Sequence, residues 1–219
     1  MSSRSPVIII LNGASSSGKT LAGQALIKLL GSNCILTGFD DTLERVKPFG
    51  AEGGGSWSSF QRILRIMLFQ LTDGRLQIFK KLHREVVAQH QAGHDVVVET
   101  SLMDRRALHD AALCFSSPNA IFVGMKPPLI VSEEWEAKRN DRPLGQARKH
   151  YDLIHAHGIY DLILDPSKMS PEECAATILN HLSEFRPSAF QRILDEAQKK
   201  NAAQHSVLRN YIRAIFREN

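Results

Sequence analysis

The segment Gly13-Ala-Ser-Ser-Ser-Gly18-Lys19-Thr20 constrains this chain more than any other. It satisfies the pattern G-x-x-x-x-G-K-[ST] at every fixed position. Before it runs Pro6-Val-Ile-Ile-Ile-Leu11, a continuous β-branched stretch of the kind buried on both faces of a parallel sheet. After it, Leu21, Ala22, Ala25, Leu26, Leu29 and Leu30 recur at helical spacing until Gly31. A strand, a loop of small residues and a helix in this order let backbone N–H groups converge on a phosphate, with the positive end of the helix behind them. Gly13, Ala14, Ser15, Ser16, Ser17 and Gly18 are therefore expected to cradle a nucleotide, Lys19 to reach its β- and γ-phosphates, and the Thr20 hydroxyl to ligate Mg²⁺. Out of context, the same residues would be a Gly/Ser turn that ends in Lys-Thr.

The rest of the chain repeats the alternation. Further strands are expected at Cys34–Phe39, Asp95–Glu99, Asn119–Gly124 and Tyr160–Leu164. Helices are expected at Ser58–Leu71, Leu76–Gln91, Leu102–Phe115, Ile130–Asn140, Leu144–His157 and Pro171–Leu182, with a glycine-rich loop over Gly50–Ser56. Five short buried strands alternating with helices predict an α/β protein with a five-stranded parallel sheet flanked by helices, which with the glycine loop after its first strand makes a P-loop nucleoside-triphosphate hydrolase fold. Residues 1–182 would form that domain and residues 183–219 a C-terminal helical extension. The apolar residues of the extension need cover from the domain itself or from a second subunit, so a homodimer stays open.

Composition narrows the partners. The net charge is +4 over 219 residues, without a Lys/Arg run that would track a nucleic-acid backbone. A phosphate-rich small ligand suits this balance, and nucleic acid is not favoured. The apolar run Val7–Leu11 is too short for a signal sequence or a bilayer span, so no membrane partner is expected. Cys34, Cys114 and Cys174 lack metal-like spacing, which fits reduced thiols in a cytoplasmic protein.

Strand ends mark where chemistry should gather. Asp40 and Asp41 follow the second strand; Asp40 is the candidate base for an attacking hydroxyl, and the alternative is a cap for a helix that starts at Thr42. Glu99 ends the third strand, where a carboxylate can hold Mg²⁺, or it is a solvated strand end. Arg139 and Arg142 can converge on a transferring phosphate, or they belong to a charged face paired with Glu133, Glu134 and Glu136. His150, His155 and His157 lack the companions of a zinc site and are expected at the surface. Trp57 and Phe60 are acceptor-pocket walls or helix core.

Taken in order, Ile10-Leu-Asn-Gly-Ala-Ser-Ser-Ser-Gly-Lys-Thr20, Gly38-Phe-Asp40, Arg139-Asn-Asp-Arg142, Tyr160-Asp-Leu-Ile-Leu-Asp165 and Ser170-Pro-Glu-Glu-Cys-Ala175 resemble the chloramphenicol phosphotransferase-like family of P-loop kinases. The resemblance spans residues 6 to about 182. It implies transfer of the γ-phosphate of ATP, with Mg²⁺, to a hydroxyl of a small molecule. It implies Asp40 as the base, Arg139 and Arg142 as lid arginines, Lys19 on the phosphates, and adenine near the loop after Asp165. The chain departs from the family pattern at Trp135, where a further arginine is common, and at Glu99-Thr100, where the antibiotic-phosphorylating member has two aspartates. Two other readings stand beside this one: a zeta-toxin-type nucleotide-sugar kinase, and a non-catalytic ATP-binding module.

Overall fold

The run Ile8–Asn12 is buried along its whole length and forms the central strand, β1. The structure, a computed structural model, describes residues 5–46, 73–117, 119–139, 144–184, 188–200 and 202. The expected helix at 58–71, the glycine-rich loop at 50–56, Trp57, Phe60, Arg142 and the tail beyond 202 lie outside them. Strands β2 (Cys34–Gly38), β3 (Asp95–Thr100), β4 (Ala120–Met125) and β5 (Leu162–Leu164) join β1 in the order β2-β3-β1-β4-β5. All pairs are parallel, with Ile10 opposite Val98 on one side and Phe122 on the other. All five C-terminal ends thus share one rim.

Alternation along β1 divides the core. Ile8 and Ile10 face a layer made by α3 (Gly74–Gln91) and α4 (Arg105–Phe115), through Phe79, Leu82, Val86, Leu108 and Phe115. Val7, Ile9 and Leu11 face α1 (Lys19–Leu30) and α7 (Pro171–Glu184), through Leu26, Cys174 and Ile178. Two-sided burial explains why β1, β3 and β4 read as unbroken apolar runs. The α5 (Leu129–Ala137) and α6 (Gln146–His155) helices follow β4 and pack on each other.

Of the boundaries that differ from the expected ones, three have a visible cause. The second strand ends at Gly38, and α2 (Phe39–Val46) begins at once, so Asp40 and Asp41 occupy its first turn instead of capping a helix at Thr42. There they favour the helix dipole, while Phe39 is pulled onto Phe79 with ring centroids 4.6 Å apart. The helix after β3 starts at Arg105, because Asp104 caps it by accepting a 2.8 Å bond from the Arg106 amide. The fifth strand is shortened because Asp161 turns its carboxylate to the Phe122 amide, at 2.9 Å.

The same Asp161 accepts from the amides of Ser188 and Ala189, at 2.7 and 2.8 Å, and so starts α8, the helix over residues 189–200. Ala189, Phe190 and Ile193 of α8 are buried in the core on the α3–α4 side. Pro171 opens α7 inside a capping box: Ser170 Oγ accepts from the Glu173 amide at 3.1 Å, and Glu173 accepts from the Ser170 amide at 2.7 Å.

Candidate active site

Between β1 and α1 the chain turns through the glycine loop. A Cβ on Gly13 would lie 2.6 Å from the Met125 carbonyl oxygen and 2.5 Å from Ser17 Oγ, so the loop can only press this close to β4 without a side chain. Gly18 has φ +83°, the left-handed conformation that turns the chain into α1. The first turn of α1 holds no acidic residue, and no side chain caps it.

The loop is anchored from beneath. Asn12 donates a 2.8 Å bond to the Tyr160 hydroxyl and accepts one of the same length from the Leu102 amide. Tyr160 OH lies 2.8 Å from His155 Nδ1. Ser101, just past β3, donates to the Gly13 carbonyl at 2.8 Å. His155 is therefore buried, contrary to the expected surface position, because the apolar end of α6 packs it against Tyr160. Burial first, then the charges of Lys126, His157 and Lys19, depress its pKa to about 4. Burial does the same to His157, also to about 4.

Lys19 extends its ammonium along the loop, donating to the carbonyls of Gly13 and Ala14 at 2.8 and 2.6 Å. Thr20 Oγ1 donates to Glu99 Oε2 at 2.8 Å. A cleft of about 1030 Å³ opens over these groups. Its floor is the loop from Ser15 to Thr20; one wall carries Asp40, Asp41 and Glu99, and another Trp135, Lys138 and Arg139. Pro166, Met169 and Cys174 close it beside Gly18. The structure thus brings Lys19, Thr20, Asp40, Glu99 and Arg139 to one cavity. Two of the glutamates on α5 are engaged elsewhere: Glu133 holds Arg148 at 2.5 and 2.9 Å, and Glu136 accepts from the amides of Gly145 and Ala147.

The residues present fit a nucleotide and its metal. Ser15 Oγ and Ser16 Oγ are buried in the loop and have no hydrogen-bond partner. One hydroxyl with one carboxylate is the sparse protein donor set that Mg²⁺ accepts when phosphate oxygens and water complete its shell. The described residues hold no cluster of three or more His, Cys, Asp or Glu that could bind a metal by itself. Sequence reasoning passed over Arg75, Ser101, Met103 and Met169, which also line the cleft. Ser101 and Met103 follow a strand end and were open to the same rule that singled out Asp40; Arg75 carries no such signal.

No curated protein matches the chain. Solved structures with the same fold include a sugar kinase from Janibacter sp. HTCC2649, with TM-score 0.57 and 16% identity, covering 81% of this chain and 95% of that one. The APS kinase of Mycobacterium tuberculosis, in complex with AMPPNP and APS, gives TM-score 0.55 and 16% identity, with coverage of 83% and 100%. The shikimate kinase of Aquifex aeolicus gives 0.54 and 18%, with coverage of 81% and 96%. These likenesses establish a P-loop kinase fold. The chloramphenicol phosphotransferase-like protein family matches residues 6–183, from the start of β1 to the end of α7. The chain therefore belongs to the chloramphenicol phosphotransferase-like family, a family of kinase-type phosphotransferases.

Proposed function

We propose that this protein transfers the γ-phosphate of ATP to a hydroxyl group of a small molecule. The observation that carries this reading is the sharing of one cleft by the phosphate loop, the Asp40 carboxylate and Arg139. A module that only binds nucleotide needs no general base in the same cleft.

Each residue has a task that follows from its place. The loop amides and Lys19 hold the β- and γ-phosphates, and the α1 dipole adds positive potential. Pro166 and Met169, beside Gly18, offer the base an apolar seat. Thr20 and Glu99 would hold Mg²⁺, which supplies charge neutralisation between the β- and γ-phosphates when bound. Asp40 accepts the proton of the acceptor hydroxyl, whose oxygen forms a bond to the γ-phosphorus as the bond to the bridging oxygen breaks. ADP leaves with that electron pair, and Arg139 compensates charge on the moving phosphoryl group. Trp135 stands beside Gly18, its ring 3.8 Å from where a Cβ on that glycine would lie.

The test is ADP release and product formation across a panel of hydroxylated small molecules. Lys19→Ala should abolish transfer by a protein that still melts cooperatively. Asp40→Asn should keep ATP binding and lose about 10² to 10⁴-fold in kcat. Near-normal turnover by folded Lys19→Ala protein would refute the kinase reading. An active Asp40→Asn beside an inactive Asp41→Asn would move the base by one residue.

A further inference from the structure

The cleft is lined by a further arginine, Arg75. Arg75, the second residue of α3, lays its guanidinium 4.9 Å from the centroid of the Phe39 ring. Phe39 directly precedes Asp40. Arg75 also borders a recess of about 90 Å³ that leads off the cleft, with Phe79, Ser101, Met103 and Asp104. The carboxylates nearest to it in sequence and in the recess are committed elsewhere. Asp73 takes Arg106 at 2.9 and 3.1 Å, and Asp104 takes the same Arg106 at 2.8 Å. Among the described residues none accepts a hydrogen bond from Arg75. The charge is felt across the cleft: burial chiefly, then Lys149 and Arg75, lower the pKa of His150 on α6.

A guanidinium stacked on an aromatic ring is oriented and partly desolvated on one face, with its fork of donors left for a planar or tetrahedral oxyanion. Lys19 and Arg139 are assigned to the transferring phosphate. Arg75 is a further cation in the same cleft, stacked on the residue that precedes Asp40. We propose that the physiological acceptor is a hydroxyl compound that also carries a carboxylate or phosphoryl group, and that Arg75, stacked on Phe39, binds this anion while Asp40 faces the hydroxyl. The inference rests on the phosphotransfer reading above and sharpens it to a substrate class. The transfer is unchanged: the acceptor oxygen bonds to the γ-phosphorus, the bridging bond breaks, the hydroxyl proton goes to Asp40 and ADP departs. A neutral polyol or a neutral antibiotic would leave Arg75 facing an uncharged surface.

The experiment compares matched pairs that differ in charge: glycerol 3-phosphate with glycerol, glycerate with its methyl ester, and glucose 6-phosphate with glucose, extended to further hydroxy acids and sugar phosphates. Binding is followed by calorimetry with the non-hydrolysable nucleotide AMPPNP present, and transfer by ADP release with ATP. Charged members should bind more tightly than their neutral partners. Arg75→Gln should weaken charged members about ten- to a hundredfold, the scale of a charge-assisted hydrogen-bond pair, and leave the neutral partners unmoved. Arg75→Lys should recover part of that loss, since it keeps the charge but not the fork. If no charged member binds better than its neutral partner, or Arg75→Gln weakens both alike, the anion subsite is overturned whatever the turnover. Arg75-dependent binding of anions without ADP release for any member would instead uphold the subsite and sink the phosphotransfer reading.

Discussion

The Thr20 hydroxyl donates a 2.8 Å hydrogen bond to the Glu99 carboxylate, joining the first turn of α1 to the end of β3. The contact brings together the hydroxyl and the acid expected to hold the metal, although they lie 79 residues apart. Glu99→Gln keeps the shape and the acceptor oxygen but removes the charge. The Mg²⁺ concentration for half-maximal activity should rise, by about 10 to 100-fold if Glu99 orients the metal's shell. An unchanged Mg²⁺ titration would leave Glu99 as a partner for the hydroxyl alone.

Glu136 concerns the opposite wall. Its carboxylate is 3% exposed and accepts from the amides of Gly145 and Ala147 at 2.8 and 2.9 Å. It thus caps α6 from the end of α5, across the segment that begins with Arg139. Removing it strands two donors at a helix start, so Glu136→Ala should lower stability by about 1 to 3 kcal/mol. Because Arg139 lies three residues beyond Glu136, between α5 and the helix it caps, kcat should fall more than ATP affinity. Chemical denaturation and steady-state kinetics on one preparation separate the two effects; a stability loss with intact kcat would make Glu136 a cap only.

Why the sheet was legible and parts of the cleft were not follows from these residues. The phosphate loop is a local pattern, and the strands before and after it are two-sided apolar runs, so residues 8–30 could be read without tertiary information. Asp40 was reachable because strand ends in a parallel sheet face one rim. Glu136 was not: within Glu133-Glu134-Trp135-Glu136 it looks like one more solvated acid, and its burial depends on a helix that starts ten residues later. His155 misled for a similar reason, since neighbouring His150 and Lys149 suggest an outer face, while contact with Tyr160 is set by the β4–β5 pairing. Arg75 acquires meaning only when α3 packs on α2 and lays it over Phe39.

Two histidines beneath the loop give the protein an acid limit. His155 and His157 are held neutral with pKa values near 4, whereas each would titrate at its ordinary 6.5 when unfolded. Below pH 6.5 the unfolded chain then binds protons that the folded chain refuses, so stability falls as pH drops from 6.5 toward 4. His83, whose pKa burial also lowers despite its partner Asp110, contributes in the same direction. Melting temperature should therefore be flat above pH 7 and decline through this window. His155→Gln should flatten the slope whatever it does to the plateau; an unaltered slope would mean that His155 is not the group being refused.

The last prediction concerns α8. Phe190 is 2% exposed and packs between Phe115 and Phe122, with centroids at 5.6 and 4.7 Å, while Asp161 holds the amides of Ser188 and Ala189. Arg192 adds a 2.6 Å bond to the carbonyl of Tyr160, the residue whose hydroxyl anchors Asn12 beneath the phosphate loop. Covering Phe190 and Ile193 alone is worth roughly 3 to 6 kcal/mol by apolar burial. That is a large share of the 5 to 15 kcal/mol that holds a typical domain together. Truncation after Ser183 should thus destabilise the protein severely, although every residue matched by the family would remain. Phe190→Ala, which keeps the Asp161 and Arg192 bonds, should cost about 3 to 5 kcal/mol in urea unfolding. If the truncated protein melts like the full chain at the same mass in solution, α8 is no part of the functional core. If its mass halves while its stability holds, the segment's work is assembly, and the contact with Phe122 is incidental.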